Sequence, residues 1–143
     1  TQIATDAVTL HPSAFSGSAV DVTSTSSSFG GTTTMQDLSY TSTGQPVFVF
    51  FGCQGGVIND LSANYNSGEF RIRLKRDSTV IQTYQPQFLN NDGTIHEFSF
   101  VLPVSQSAGT YTFTVEMQAR RTGSYNTEGW FSNRSLMVLE MKR

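Results

Sequence analysis

Apolar residues recur at every second position over much of this chain. Phe70-Arg71-Ile72-Arg73-Leu74 alternates apolar with basic or polar side chains, the pattern of a strand with one face buried and the other in water. Asp77-Ser78 turns this segment back into Thr79 to Tyr84, which predicts a hairpin. Glu97 to Val104 gathers Phe98, Phe100 and Leu102 on one face, and Ser105 to Gly109 reads as a turn. Thr110 to Arg120 then sets Tyr111, Phe113, Val115, Met117 and Ala119 against Thr112, Thr114, Glu116 and Gln118. No window carries the period of an ordinary helix. Short strands separated by turns, with nothing helical between them, predict an all-β antiparallel sandwich or barrel.

Two segments break the alternation. Val47-Phe48-Val49-Phe50-Phe51, ended by Gly52, is apolar throughout. The last strand, Arg134 to Lys142, has Leu136 and Val138 on one face and Met137, Leu139 and Met141 on the other. An antiparallel sheet normally turns one face to water, so doubly apolar strands need a second cover. Overlying loops would supply it within one chain; copies of the same chain would supply it in an oligomer. An uncovered Phe/Leu/Met patch is a liability for a monomer, which favours the closed homo-oligomer.

Counting strand directions separates the connections into two sets. Those at 53–69, 85–96 and 121–133 are long and fall at one end; those at 77–78 and 105–109 are short and fall at the other. Loops on a rigid scaffold are where binding concentrates, so the loop-rich end is the expected recognition surface. Residues 1–34 are Ser/Thr-rich, with low-complexity stretches at Thr23 to Ser28 and Gly30-Gly31. They read as a linker or as an edge strand of the sandwich, ahead of a head domain at 35–143.

The composition narrows the classes. Of 143 residues only 14% are charged, while Ser and Thr contribute eighteen each. Eleven Phe residues supply enough apolar bulk for a folded core. A net charge of −2 lacks the basic surplus of a nucleic-acid binder. No apolar run reaches the roughly 18 residues of a membrane span, so no membrane insertion is expected. The single Cys53 excludes an internal disulfide and a Cys-rich zinc site, and reads as a buried inert thiol. Without Met at position 1 or a signal-peptide pattern, the sequence is expected to be processed or cut from a longer one.

Pro103-Val104-Ser105-Gln106-Ser107-Ala108-Gly109-Thr110-Tyr111-Thr112-Phe113-Thr114-Val115 resembles a Pro-turn-Ala-Gly-Thr-Tyr stretch of small jelly-roll domains in bacteriophage tail-fibre and other virion proteins. The close, Arg134-Ser135-Leu136-Met137-Val138-Leu139-Glu140-Met141-Lys142, is similar to theirs. Gly44 to Val49 and the Ile72 to Ile81 hairpin fit the same layout, so the resemblance covers about residues 35–143. Tumour-necrosis-factor-like and complement-type heads share this architecture. The resemblance implies a jelly-roll β-sandwich forming a homotrimer. It would be a non-enzymatic head on an upstream fibre shaft at the virion's fibre tip, recognising a host cell-surface glycan or protein. Phe48, Phe50, Leu136 and Val138 would then make the threefold contact.

The residues suited to ligand binding lie in the long connections. Arg121 to Phe131 holds the only Trp together with Tyr125, Asn126 and Glu128, and Asn64-Tyr65-Asn66 has the same character. Sugar sites stack an aromatic ring on the apolar face of the sugar and give its hydroxyls polar partners. The ligand candidates are Asn64, Tyr65, Asn66, Asn91, Asp92, Tyr125, Asn126, Glu128 and Trp130. Trp130 reads equally well as a plug under the loop, and Phe131 as core. Asp60, Glu69, Asp92 and Glu128 could furnish the facing carboxylates of a small glycan hydrolase, but their spacing does not require it. His96 reads as a surface imidazole, and Gly55-Gly56 as turn glycines. No loop has the repeated acidic spacing of a calcium site, and no cofactor is expected. A structural virion domain of the same fold is the alternative function.

Overall fold

The computed structural model describes residues 11–58, 65–90 and 92–141. Eleven strands are seen among them: β1 (Ser13–Ser16), β2 (Val20–Ser24), β3 (Gly30–Thr43), β4 (Val47–Val57), β5 (Tyr65–Asn66), β6 (Gly68–Arg76), β7 (Thr79–Thr83), β8 (Gln87–Leu89), β9 (His96–Val104), β10 (Ala108–Arg121) and β11 (Asn126–Glu140). They form two sheets. One, sheet A, runs β1-β11-β4-β9, with β2 continuing the β1 edge along β11 and β5 also on β11. The other, sheet B, runs β3-β10-β6-β7, with β8 following β7 along β6. Apart from β5, which lies parallel to β11, all pairings are antiparallel. The chain passes repeatedly from one sheet to the other. Merging β1 with β2 and β7 with β8, and setting aside the two-residue β5, leaves eight strands in the order of a jelly roll.

The Ser/Thr-rich segment is part of this sandwich from Ser13 onward. β1 and β2 pair with β11, and the 34/35 boundary falls inside β3, which pairs with β10 from Gly30 to Thr43. Its alternation is hidden in the sequence because Ser and Thr fill most outward positions while only Val22, Met35 and Tyr40 supply large buried side chains.

The core is made by the inward faces. Phe113, Val115, Met117 and Ala119 of β10 are fully buried, as their spacing predicts. They meet Val47, Val49 and Phe51 of β4 and Leu136 and Val138 of β11 in one apolar cluster. Phe131 joins Phe70 and Phe98 in edge-to-face contacts with centroids 5.3 and 5.5 Å apart. Such pairs contribute roughly 0.5–1.5 kcal/mol each beyond their burial.

β11 changes parity part-way. Thr127, Gly129 and Phe131 face inward, but so do Arg134, Leu136, Val138 and Glu140. A register shift against β4 between Ser132 and Ser135, with Asn133 at φ 49°, inserts the extra residue that makes this switch. The bulge aims the Arg134 guanidinium inward, where it donates to the Met35 carbonyl, Ser16 Oγ and the Ser18 carbonyl. Those bonds tie the β1–β2 corner to β3.

Two sequence expectations are corrected here. Gly55 and Gly56 are not turn glycines but lie within β4, paired with Phe131 and Trp130 of β11. A Cβ on Gly55 would sit 2.4 Å from both the Phe131 ring and the Trp130 carbonyl oxygen, so only glycine lets the ring lie there. Leu136 and Val138 are not on an outer contact face: both are fully buried in the chain's own core.

Candidate functional site

The two ends of the sandwich are unequal, as the strand count predicts. Thr43 pairs with Ala108 and Val47 with Glu140, so the β3–β4 and β9–β10 connections share an end with the tight β6–β7 turn. That turn is held by Asp77, which adopts φ 55° and accepts the Thr112 N–H on its side chain. The connections from β2 to β3, from β4 towards β6, from β8 to β9 and from β10 to β11 leave the sheets at the opposite end. These connections are shorter than the sequence suggested, because β4 runs on to Val57 and β11 starts at Asn126.

At the loop-rich end β5 lies beside the start of β11, pairing Tyr65 with Asn126 and Asn66 with Thr127. The backbones of three candidates are thereby brought together, with Tyr125 next in sequence. Tyr125 is 45% exposed and lines a depression of about 80 Å³ with Ser67, Thr122 and Gly123. Asn64 and Asn91 lie outside the described residues. Asp92 is exposed on a separate turn, where its side chain accepts the Thr94 N–H at 2.9 Å. Hydrogen bonds from Thr94 hold its carboxyl below the usual range.

Trp130 is neither loop nor plug. It stands half-buried on the outward face of β11, over Gly56, while Phe131 takes the inner position. A Cβ on Gly56 would lie 3.0 Å from the Thr94 carbonyl oxygen and 3.4 Å from the indole nitrogen. The Asp92–Thr94 turn therefore comes down beside Trp130. Glu128 is two residues away on the same outward face, and its carbonyl accepts the Ile58 N–H. The candidates thus form two groups: Tyr125 and Asn126 with β5 at the tip, and Trp130 and Glu128 with the Asp92 turn on the flank of sheet A.

His96 departs from a surface imidazole. It is half-buried, and its Nε2 atom is buried. Cys53 is buried, and burial pushes its thiol up to about 12, which leaves it inert at neutral pH.

The outer faces of the two sheets differ in kind. On sheet B, Glu116 accepts from Arg73 at 2.6 Å and Lys75 at 3.0 Å, and Arg120 pairs with Glu69. Burial raises the Glu116 carboxyl, but its two cations outweigh that and hold it low. Phe29 is clasped between the Arg71 and Arg120 guanidiniums at 4.1 and 4.6 Å, an arrangement sequence reasoning missed because its members are 42 and 49 residues apart or more in chain and carry no motif. On sheet A two neighbouring outward rows are apolar. Met137, Phe50 and Val101 lie side by side, as do Leu139, Phe48 and Pro103. Beside them Ser135, Gly52 and Ser99 make a low row, leaving a trough of about 590 Å³ between Phe15 and Val101. Phe15 is 71% exposed and Val101 55%.

No protein-family model matches the chain, and no curated protein does. Solved structures do match. A structure of infectious bursal disease virus, Gx strain, superposes with a TM-score of 0.71 at 10% identity, over 94% of this chain and 33% of that one. The likeness is one of fold. The T=1 particles derived from the same virus give 0.63 at 12% identity, over 93% of this chain and 32% of theirs. The virus's VP2 subviral particle gives 0.62 at 11%, with the same coverage. The chain spans about a third of the length of these viral chains.

Proposed function

We propose that this chain is a non-enzymatic jelly-roll domain of a virus particle. In this reading it is a homotrimer closed through the outer face of sheet A, with its loop-rich end turned to a host cell-surface glycan or protein. The polarity of the sandwich carries the reading. Long connections meet at one end, and tight ones at the other, near which Pro12 joins β11 through its carbonyl and the Val138 N–H. A fibre shaft joined ahead of Pro12 would leave the loops outermost. The apolar rows Phe48/Leu139 and Phe50/Met137 supply a surface for other copies, while the ion-paired face of sheet B suits water. The fold likeness to virus particle proteins supports the setting.

Light scattering at two concentrations, joined to binding of the labelled chain to host cells, tests this. A trimer mass that survives dilution, with saturable cell binding, is the expected result. A stable monomer at micromolar concentration overturns the trimer, and absent cell binding overturns the recognition role.

A second reading, a structural virion domain, is favoured by the same likeness to subviral and T=1 particles. It predicts binding to other virion proteins in place of host cells. A glycan hydrolase predicts release of reducing sugar from host polysaccharide that Asp92→Asn or Glu128→Gln abolishes.

A further inference from the structure

The sandwich has an open side where β9, the edge of sheet A, faces β6 and the short β7 and β8 of sheet B. The segment from Tyr84 to Gln87 joins β7 to β8 along this edge of β6, anchored by the Tyr84 N–H on the Ile72 carbonyl. Behind it lies a pocket of about 180 Å³.

Two aromatic groups form its walls. Tyr84 stacks on Phe100, with centroids 4.6 Å apart and planes 22° from parallel, and Phe100 stacks in turn on Phe51. Phe70 and Phe98, each set edge-on to Phe131, form the other wall, and Ile72 completes the lining. The rim is polar: Gln85, Gln87 and Ser99 are exposed there.

One feature of the lining is unresolved by the protein itself. The Tyr84 hydroxyl is buried and has no hydrogen-bond partner among the described residues. Burial also raises its pKa above the ordinary phenol value, which keeps the proton on the hydroxyl. Buried hydroxyls are normally paired, because a donor stripped of water with nothing in exchange is costly. Gln85, Gln87 and Phe88 beside it are exposed, yet Tyr84 stays stacked on Phe100.

We propose that this pocket binds a small planar apolar molecule carrying one hydrogen-bond acceptor, seated between the Phe100 and Phe98 walls and receiving the Tyr84 hydroxyl. The volume suits a single ring: an engineered apolar cavity of roughly 150 Å³ accepts benzene. Aromatic walls favour a flat guest, and the lone donor selects one that bears a carbonyl or ether oxygen. The polar rim gives the guest a way in without unfolding the core. The site is separate from the loop-end recognition surface and from the outer face of sheet A, so its fate does not depend on either.

The test compares acetophenone with cumene, a single-ring molecule of similar size that lacks the carbonyl, by titration calorimetry on the full chain. Acetophenone is expected to bind saturably and about 2- to 10-fold more tightly than cumene, the range of one net neutral hydrogen bond. Tyr84→Phe should remove that preference and leave cumene binding unchanged. Ile72→Phe should fill the pocket and abolish both. Should Ile72→Phe fail to fold, saturation transfer from the probe to the Phe98 and Phe100 rings of the unmodified chain places the guest directly. The proposal is overturned if neither probe binds, which would leave water as the partner of Tyr84. It is equally overturned if the preference survives Tyr84→Phe, or if binding does not perturb Phe98 and Phe100.

Discussion

Tyr40 of β3 donates its hydroxyl to the Glu140 carboxylate at the end of β11, joining the two sheets across 100 positions of sequence. Glu140 also accepts Ser42 Oγ at 3.0 Å, the Thr43 N–H and hydroxyl at 2.9 Å each, and the Gln45 N–H at 3.1 Å. Its carboxylate therefore closes the β3–β4 corner. Among the described residues these partners are all neutral donors, gathered on a carboxylate of a residue only 3% exposed. Burial by itself would raise its pKa, but the bonds from Tyr40, Thr43, Gln45 and Ser42 outweigh it and hold Glu140 at about 2.

The acid stability of the fold follows. The folded-state value lies below the ordinary 4.5, so the contribution of Glu140 is complete above that pH and is lost as pH falls towards 2. The size of the shift corresponds to about 3 kcal/mol. Thermal melts should show a falling Tm between about pH 4.5 and 2, and Glu140→Gln should lower Tm at pH 7 and flatten that slope. An unchanged acid slope in the variant would show that other carboxylates govern it.

The two apolar faces of β11 and β4 predict opposite failures. Leu136 is fully buried, so Leu136→Asp places an unpaired charge in the core and should abolish folding, a loss of several kcal/mol. Phe48 stands on the outward face beside Leu139 and Pro103. Phe48→Asp should leave circular dichroism and the monomer's far-ultraviolet signature intact while reducing the mass seen by light scattering. If Phe48→Asp unfolds the chain as Leu136→Asp does, the outward face is covered from within.

This contrast marks how far the sequence was readable. The alternation of Thr110 to Arg120 fixes which side chains of β10 enter the core, because apolar and polar residues differ in kind at successive positions. On β11 every position from Leu136 to Leu139 is apolar, so alternation carries no face information. The face is set by the bulge at Asn133 and Arg134, where an inward Arg donates from its terminal nitrogens to the Met35 and Ser18 carbonyls, partners that no local pattern announces. For the same reason Trp130 and Phe131 exchange the places that an unbulged strand counted back from Val138 would give them. The loop-rich end was legible because it depends only on strand count and direction. Its candidate side chains were not, since their grouping rests on β5 pairing with β11 and on Gly56 admitting Trp130 beside Thr94.

Glycine positions separate packing from backbone freedom. A methyl group at Gly55 would meet the Phe131 ring and the Trp130 carbonyl at 2.4 Å, and the carbonyl belongs to the paired strand and cannot retreat. Gly55→Ala should destabilise the chain by about 1–3 kcal/mol, with the larger end expected for a backbone clash. At Gly123 nothing lies within 4 Å, so Gly123→Ala should be neutral or stabilising by up to about 1 kcal/mol. Urea unfolding of the two variants checks the difference. Equal losses would mean that the β4–β11 pairing relaxes around the added carbon.

Tyr125 and Trp130 test where recognition sits. Tyr125 is 45% exposed at the tip beside Asn126 and is not part of the core cluster. Trp130 is half-buried over Gly56 and contributes packing to the flank of sheet A. Under the recognition reading, Tyr125→Ala should weaken binding to host cells about tenfold or more, with oligomer mass unchanged and Tm moved by no more than a degree or two. That loss is the size expected of a central exposed aromatic at an interface, above 1 kcal/mol. Trp130→Ala should lower Tm through lost packing whether or not the flank touches a ligand. A variant of Tyr125 that binds host cells as well as the unmodified chain, while Trp130→Phe, which keeps most of the packing, loses binding, would move the site from the tip to the flank beside the Asp92 turn.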